Sequence, residues 1–248
     1  MGNAASVKPE LFSAMKMEYE GKKEQMSDDE LFIHMKKFHD ELAKSSAPTT
    51  TALPSKDILP IVVAGPSGTG KGTIIGKLME KYPKQFGFSL SHTTREARPG
   101  EENGVHYHFT TMAEMDAGIA KGEFVEYADV HGNKYGTSSL AVLKVKSGGK
   151  VPILDIDIQG VQRVKASSMP AKYIFVQPPS MEELEKRLRG RGTEEEEKIL
   201  VRMANAKGEM DFGTPENFDA IVVNDDIDKC AEEVLALVKQ WNPSVAFE

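Results

Sequence analysis

The sequence is poor in cysteine and in long apolar runs, and each shortage excludes a class of protein. Cys230 is the only cysteine among 248 residues, so the chain forms no internal disulfide and a reducing compartment is expected. No stretch approaches the roughly 18 apolar residues of a membrane-spanning helix. The first residues also lack the apolar core of a secretory signal. We therefore expect a protein of the cytoplasm.

The chain also lacks a basic excess. It carries 31 Lys and Arg against 38 Asp and Glu, a net charge of −7. Because non-specific nucleic-acid binding needs a basic surface, nucleic acid is not an expected partner. With 40% hydrophobic and 28% charged residues, the composition is that of a globular protein with one large domain or two small ones.

Residues 1–57 predict a partly helical extension that ends in a linker. A capping-box signature at residues 27–30 precedes apolar residues at helical spacing, which predicts a helix over residues 28–44. A second helix is expected over residues 9–23. Residues 45–57, rich in Ser, Thr and Pro, are typical of a linker. The apolar stripe of the later helix suits packing on the chain's own domain or, as the alternative, on a membrane.

The first six residues, MGNAAS, match the pattern for N-myristoylation of Gly2. An ordinary chain start fits the same letters, and the sequence does not choose between the two. Residues 1–57 hold eight basic and ten acidic side chains, a net charge of −2. One lipid without a basic patch gives only weak, reversible membrane binding, so an acylated chain would be mainly cytoplasmic with a minor membrane fraction.

From Ile58 onward, short apolar runs alternate with helical stretches. This pattern indicates the α/β class, with a parallel sheet flanked by helices on both faces. The predicted strands are 58–64, 151–158, 173–176 and 220–223, and the predicted helices are 71–82, 180–189, 194–210 and 228–240. Residues 86–140 are dense in turns, with short alternating runs at 105–110 and 124–127. They predict a small mixed insertion with its own antiparallel strands.

A glycine-rich loop, GPSGTGK, follows the first strand and opens a helix. In such a loop the backbone amides turn onto phosphate oxygens, and the lysine reaches the β- and γ-phosphates. The usual Ser or Thr whose hydroxyl binds Mg²⁺ is replaced by Gly72, and Thr73 comes one position late. The expected ATP-binding residues of the loop are Gly65, Ser67, Gly68, Thr69, Gly70, Lys71, Gly72 and Thr73.

Asp155 ends an apolar run, where an acid lies near Mg²⁺ in phosphate-loop proteins. A carboxylate that only caps a loop is the alternative interpretation. Since no hydroxyl directly follows Lys71, we expect the Mg²⁺ that accompanies ATP to have no direct protein ligand and to meet Asp155 through water. The histidines are not spaced for zinc, so no other metal is expected.

Two groups of arginines add to the loop. In RLRGRGTE, Arg187 and Arg191, with Arg202 on the next helix, suit the charge that spreads over a phosphoryl group in transfer. A solvated surface run is the alternative.

The second group is Arg95 and Arg98 in SHTTREARPG, with Tyr107 and Tyr135 downstream. Arginine holds phosphate with two donors, and a tyrosine hydroxyl adds another. Two anion sites in one chain suggest transfer between two phosphorylated substrates.

These segments, with NGVHYHF, EFVEYADVHGNKYGT, ILDIDIQG and IVVNDD, resemble the guanylate kinase family from about residue 61 to residue 237. The resemblance implies phosphoryl transfer from ATP to GMP, giving ADP and GDP, with Mg²⁺ accompanying ATP. It implies a kinase domain over 58–248, a GMP-binding insertion at about 91–140 and a lid at about 187–202. It also places Asn224 near ATP, and we expect a monomer.

The resemblance assigns the GMP phosphate to Arg95, Arg98, Tyr107 and Tyr135, and the guanine base to Glu126, Asp157, Ser91 and Thr137. The chemistry agrees, because a carboxylate accepts from guanine N1–H and N2–H₂ while hydroxyls donate to O6. Adenine has an acceptor at N1 and an amino group at C6, so the same site opposes it. Without the resemblance, Glu126 would as readily be a strand-edge acid.

Two rival functions stay open on the sequence alone. Guanylate-kinase-like binding modules of scaffold proteins lack a working phosphate loop, whereas Lys71 and the lid arginines are present here. Adenylate kinase has a similar Gly-Lys-Gly-Thr loop, but Glu126 with Arg95 and Tyr107 disfavours it. Arg189 and His92 depart from the family pattern, and neither is assigned a role.

Overall fold

The structure is a computed structural model that describes residues 18, 22, 58–98, 100–130, 132–167, 169–190 and 196–248. Glu18 and Lys22 are helical, in line with the helix predicted over 9–23. The rest of that helix, the helix predicted over 28–44, the linker and Gly2 lie outside the described residues. Arg191 of the lid lies outside them as well.

Strands and helices alternate along most of the described chain. The strands are β1 (Ile61–Ala64), β2 (Phe86–Phe88), β3 (His92–Thr93), β4 (His108–Phe109), β5 (Phe124–Val130), β6 (Asn133–Ser138), β7 (Val151–Asp155), β8 (Lys172–Gln177) and β9 (Ala220–Val223). The helices are α1 (Lys71–Lys81), α2 (Met112–Ala120), α3 (Ser139–Ser147), α4 (Ile158–Ala166), α5 (Met181–Gly190), α6 (Glu196–Phe212) and α7 (Ile227–Trp241).

Two compact units divide these elements. Counted by described residues, the smaller unit contains residues 88–150 and 162–170, and the larger unit contains residues 58–87, 151–161 and 171–248. No helix in the described ranges is both long enough and apolar enough to cross a bilayer.

The larger unit is built on a five-stranded sheet in the order β2-β7-β1-β8-β9. β1 pairs in parallel with β7 and with β8, and β8 pairs in parallel with β9. All four residues of β1 are buried. Strands covered on both faces need apolar residues at every position, which is why these segments are continuous apolar runs in the sequence. The predicted parallel α/β core is confirmed.

Two predicted strand boundaries are wrong. β1 begins at Ile61 rather than at residue 58, and β7 ends at Asp155 rather than at residue 158. The Asp157 carboxylate accepts a hydrogen bond of 2.8 Å from the Gly160 amide, and α4 begins at the next residue, Ile158. Asp157 therefore acts as a helix cap, which ends the extended run although the apolar–acidic alternation continues.

The smaller unit contains a four-stranded sheet in the order β4-β3-β6-β5. β6 pairs antiparallel with β3 and with β5, as predicted, but β3 and β4 pair in parallel. The run predicted over 105–110 yields only the two residues of β4. α2 begins with a reciprocal capping box between Thr111 and Glu114, which satisfies two amides at its start.

Candidate active site

The phosphate loop joins the buried strand β1 to the first turn of α1. Gly65 has φ +140°, and a Cβ placed there would lie 2.1 Å from the Val176 carbonyl oxygen on β8. Gly70, with φ +92°, is the N-cap of α1, and a Cβ there would lie 2.5 Å from the Asn224 amide nitrogen. Both positions require glycine, because the chain turns in the left-handed region against neighbouring atoms.

Two buried polar side chains hold the inside of this loop. Thr69 Oγ1 donates to the Pro66 carbonyl at 2.9 Å, and Asn224 Nδ2 donates to the Thr69 carbonyl at 2.6 Å. Asn224 is itself fixed at the end of β9 by a backbone hydrogen bond of 2.8 Å to the Gln177 carbonyl. The sequence placed Thr69 and Asn224 at ATP, and in this structure they shape the loop.

Lys71 is folded over the loop that it follows. Its ammonium nitrogen donates to the carbonyls of Gly65 at 2.6 Å and Pro66 at 3.1 Å. An ammonium has three donors, so these bonds leave one for another acceptor. A nucleotide phosphate in the loop would offer stronger, charged acceptors than two neutral carbonyls, and the side chain is already at the loop to meet them.

Asp155 lies at the end of β7, opposite Val63 of β1. Burial raises the pKa of its carboxyl, and the positive charge of Lys71 opposes part of that rise. On the helix side of the loop, Gly72 and Thr73 are exposed, and the space where a Gly72 Cβ would stand is open for at least 4 Å. The loop is thus lined by an acid on the strand side and left open on the helix side.

Arg187 and Arg202, the two described arginines of the predicted lid group, are bound to other groups of the larger unit. Arg187, in the last turn of α5, donates from Nε to Glu183 at 2.9 Å. Arg202 of α6 donates from Nη1 to the Ser67 hydroxyl of the phosphate loop at 2.7 Å. Arg202 therefore contacts the loop, and its role toward a phosphoryl group stays a prediction.

Arg189, to which the sequence gave no role, binds the acids on both sides of residues 191–195. Its guanidinium contacts Glu185 one turn earlier on α5 and Glu196 at the start of α6. The hydrogen bonds that Arg189 donates to Glu196, and in second place to Glu185, raise the pKa of its guanidinium. The three side chains join the end of α5 to the start of α6.

Glu209 of α6 is a further acid that sequence reasoning missed. It lies seven residues after Arg202, hence two turns along the same helix face. Burial raises the pKa of its carboxyl, Lys71 opposes the rise, and Asp157 adds to it. The spacing from Arg202 was a signal in the sequence, but only the fold shows that this face turns toward Lys71.

In the smaller unit, Glu126 is the buried acid of the sheet, with 4% of its surface exposed. It stands opposite Thr137 in the β5–β6 register, and Thr137 Oγ1 lies 3.3 Å from the Ser91 hydroxyl. A β-bulge between Phe124 and Glu126 shifts the pairing at this point. The fold thus brings together three of the residues predicted to contact guanine.

Arg95 follows β3 and lies among aromatic rings. Its guanidinium is 5.5 Å from the Tyr107 ring centre, and Tyr107 packs edge-on against Tyr135 at 6.0 Å. Burial lowers the pKa of Arg95, but hydrogen bonds with Glu101 and Tyr135 outweigh it and the net shift is upward. Arg95 Nη2 lies 2.9 Å from the Glu101 carboxylate, a partner that the sequence analysis did not assign.

The other two predicted GMP residues are placed differently. The Arg98 side chain is exposed, and its backbone amide donates to Glu101 at 2.8 Å, so Glu101 joins both arginines of the motif. That hydrogen bond is the largest cause that lowers the pKa of Glu101. Asp157 belongs to the larger unit, where it caps α4.

Comparison with known proteins identifies the family. Residues 57–241 match the family model described as guanylate kinase. The chain is 56% identical over 180 residues to Guanylate kinase 1 of Oryza sativa, covering 72% of this chain and 47% of the rice protein. It is 46% identical over 193 residues to the guanylate kinase of Schizosaccharomyces pombe, covering 77% of this chain and 96% of the yeast protein. The match thus spans about half of the rice protein and nearly all of the yeast protein.

A solved structure agrees with these sequence matches. The crystal structure of guanylate kinase from Anaplasma phagocytophilum superposes with a TM-score of 0.59 at 29% identity, covering 74% of this chain and 86% of that one. The family model covers well over half of the chain, and the fold supplies the phosphate loop that a kinase needs. The chain therefore belongs to the guanylate kinase family.

Proposed function

We propose that this chain transfers the γ-phosphoryl group of ATP to GMP, giving ADP and GDP. The observation that carries the proposal is that one chain contains two different sets of residues, each suited to one of the two nucleotides. A phosphate loop with Lys71 at its carbonyls and Arg202 at its Ser67 hydroxyl suits a nucleoside triphosphate. A second sheet sets the buried acid Glu126 beside two hydroxyls, and Arg95 follows its strand β3, which suits guanosine monophosphate.

On the donor side, the protein's task is to bind charge. Lys71 would exchange the carbonyls of Gly65 and Pro66 for β- and γ-phosphate oxygens. Arg202, and Arg187 once it leaves Glu183, would meet the negative charge that develops on the transferring group. Arg191 is proposed for the same role from its place in the sequence. Thr69 and Asn224 would keep the loop amides aimed at phosphate, since their bonds fix its backbone.

On the acceptor side, the protein's task is selection. The Glu126 carboxylate would accept from guanine N1–H and N2–H₂, and Ser91 and Thr137 would donate to O6. Asp157 is proposed as a second acid at the base. The GMP phosphate would bind Arg95 and Arg98, with the hydroxyls of Tyr107 and Tyr135 as further donors. A buried acid facing an adenine N1 acceptor would be left unpaired, and this penalty favours GMP over AMP.

Mg²⁺ is proposed as the cofactor that arrives with ATP. The larger unit fits such an ion, because a half-buried acid, Asp155, ends the strand beside the loop while the exposed helix side leaves room for water. No group of three His, Cys, Asp or Glu side chains in the described ranges is arranged to hold a metal by itself. Asp155 would hold the ion's water shell, and the ion would neutralise charge on the phosphates.

A coupled assay of ADP formation tests the proposal. The chain with ATP and GMP should turn over much faster than with ATP and AMP. Turnover with ATP and AMP, but not with ATP and GMP, would point to an adenylate kinase. Absence of turnover with either nucleotide, in a protein that melts cooperatively, would leave the binding-module function.

The location and assembly of the chain are further parts of the proposal. We infer a cytoplasmic monomer, with a minor membrane fraction if Gly2 is acylated. The net charge of −2 over residues 1–57 supports weak binding, because anionic lipids would not attract this segment.

A further inference from the structure

α6 is held at two points near the phosphate loop. Within the helix, Arg202 donates to the Ser67 hydroxyl of the loop at 2.7 Å. Just past its end, Gly213 approaches β8 so closely that a Cβ there would lie 2.2 Å from the Phe175 ring. Phe175 pairs with Ala64, the last residue of β1 before the loop. The helix between these points is therefore held in place beside the loop.

Glu209 lies on the face of α6 that this arrangement turns inward. It is seven residues from Arg202, and Ala206 between them is buried. Its Oε2 atom is buried and accepts no hydrogen bond from any described residue. The charged groups that act on this carboxyl are Lys71 of α1 and Asp157 before α4. A buried acid oxygen without a donor normally costs stability, so its retention calls for a functional reason.

Lys71 is the positive group whose charge acts on this carboxyl, and it has a donor to offer. Its ammonium uses two of its three N–H groups on the carbonyls of Gly65 and Pro66. We propose that Glu209 is a positioning residue for Lys71, accepting its free donor and fixing the ammonium when phosphates draw the other two away. This inference rests on the proposed function, since it assumes that phosphates enter the loop.

A role of Glu209 in positioning Lys71 and a role in stability predict opposite changes of the melting temperature. If Glu209 served stability, its replacement by the neutral isostere glutamine would lower the melting temperature. If it is retained to hold Lys71, Glu209→Gln removes a half-buried charge whose Oε2 atom has no donor among the described residues, and it raises the melting temperature by about 2–4 °C. Turnover falls because the ammonium is less well fixed, by about tenfold in kcat, with the KM for ATP and for GMP little changed.

The experiment is a double-mutant cycle with Lys71→Met, with Asp211→Asn as the control because Asp211 is exposed on the same helix. The steady-state kinetics and the melting temperature of the nucleotide-free full chain are measured for each variant. We expect Asp211→Asn to match the parent. We expect Glu209→Gln to cause no further loss of kcat in the Lys71→Met background, because the group that it positions is gone.

The melting temperatures of the same variants test the coupling between Glu209 and Lys71 without any measurement of turnover. Glu209→Gln should raise the melting temperature more in the Lys71→Met background than in the parent, because Lys71 there no longer offsets the buried charge. Unchanged kcat in Glu209→Gln, a lower melting temperature, or independent effects of the two substitutions would overturn the inference. A parent that does not phosphorylate GMP would refute the proposed function instead, and the thermal cycle would still decide whether Lys71 and Glu209 are coupled.

Discussion

A hydrogen bond of 2.6 Å from the Asn224 side-chain amide to the Thr69 carbonyl fastens the end of β9 to the phosphate loop. The two residues are 155 positions apart, and both are buried. Because this bond and the bond from Thr69 Oγ1 to the Pro66 carbonyl both fix the loop backbone, its amides are oriented by the protein itself. The loop is therefore shaped before a nucleotide enters, which lowers the cost of ordering it on binding.

The packing of the loop predicts a large difference between two glycine substitutions. Gly65→Ala should destabilise the protein by about 3 kcal/mol or more, because the new methyl group would clash with the Val176 carbonyl at a positive φ. Gly76→Ala is the control. Gly76 lies in α1 with nothing within 4 Å of a Cβ, and alanine there should stabilise by about 0.5–1 kcal/mol. Chemical denaturation measures both, and equal effects would refute the close approach.

Lys71→Met should separate catalysis from folding. Turnover should fall by at least ~10²-fold, since the group that meets the transferring phosphoryl charge is lost. The melting temperature should fall by only about 2–4 °C, because the side chain offsets the buried charges of Asp155 and Glu209 without filling the core. Steady-state rates and thermal melts on the same preparation check both. A folded variant with near-normal turnover would contradict the role of Lys71.

Much of the larger unit follows from the sequence, because its signals are local. A buried parallel strand must be apolar throughout, and a glycine-rich loop between such a strand and a helix has few other uses. The sequence does not determine the end of β7, because the alternation of Asp155 and Asp157 with apolar residues fits a continuing strand as well as a helix cap. Only the hydrogen bond from Gly160 decides it.

The residues that the sequence did not reveal act across long separations. The charge of Lys71 acts on the Glu209 carboxyl only because α6 packs beside the loop. The apolar periodicity of the sequence does not predict which face of α6 turns toward the loop. Asn224 illustrates the same limit, since the family resemblance placed it near ATP while the fold shows what it binds. In the smaller unit, Glu101 was missed as the partner of Arg95, because surface acids six residues from an arginine are common and only the turn brings them together.

The glycine at position 72 leads to a specific prediction about the ligands of Mg²⁺. Position 72 has no hydroxyl, so the ion should be bound by nucleotide oxygens and water, with Asp155 reached through that water. A crystal structure with Mg²⁺ and a non-hydrolysable ATP analogue should show this shell. A hydroxyl oxygen of Thr73 at about 2.1 Å from the ion would contradict it.

The extension before residue 58 should affect location rather than chemistry. A chain that lacks residues 1–55 should keep its turnover, because every proposed substrate contact lies beyond Ala64. If Gly2 is acylated, a minor membrane fraction of the full chain should resist high salt and disappear in Gly2→Ala. Cell fractionation and kinetics measure the two effects. Equal membrane fractions would discard the lipid, and a folded but inactive truncation would show that the extension completes the site.

The central claim is that the buried Glu126 carboxylate selects guanine, and Glu126→Gln tests it most directly. The control is Asp129→Asn, which changes an exposed acid on the same strand. The measurement is kcat/KM for GMP at saturating ATP, repeated with IMP, which lacks the 2-amino donor. The account predicts a fall of about 10²–10⁴ with GMP, a smaller fall with IMP, and no change in the control. An unchanged kcat/KM for GMP in folded Glu126→Gln would contradict it.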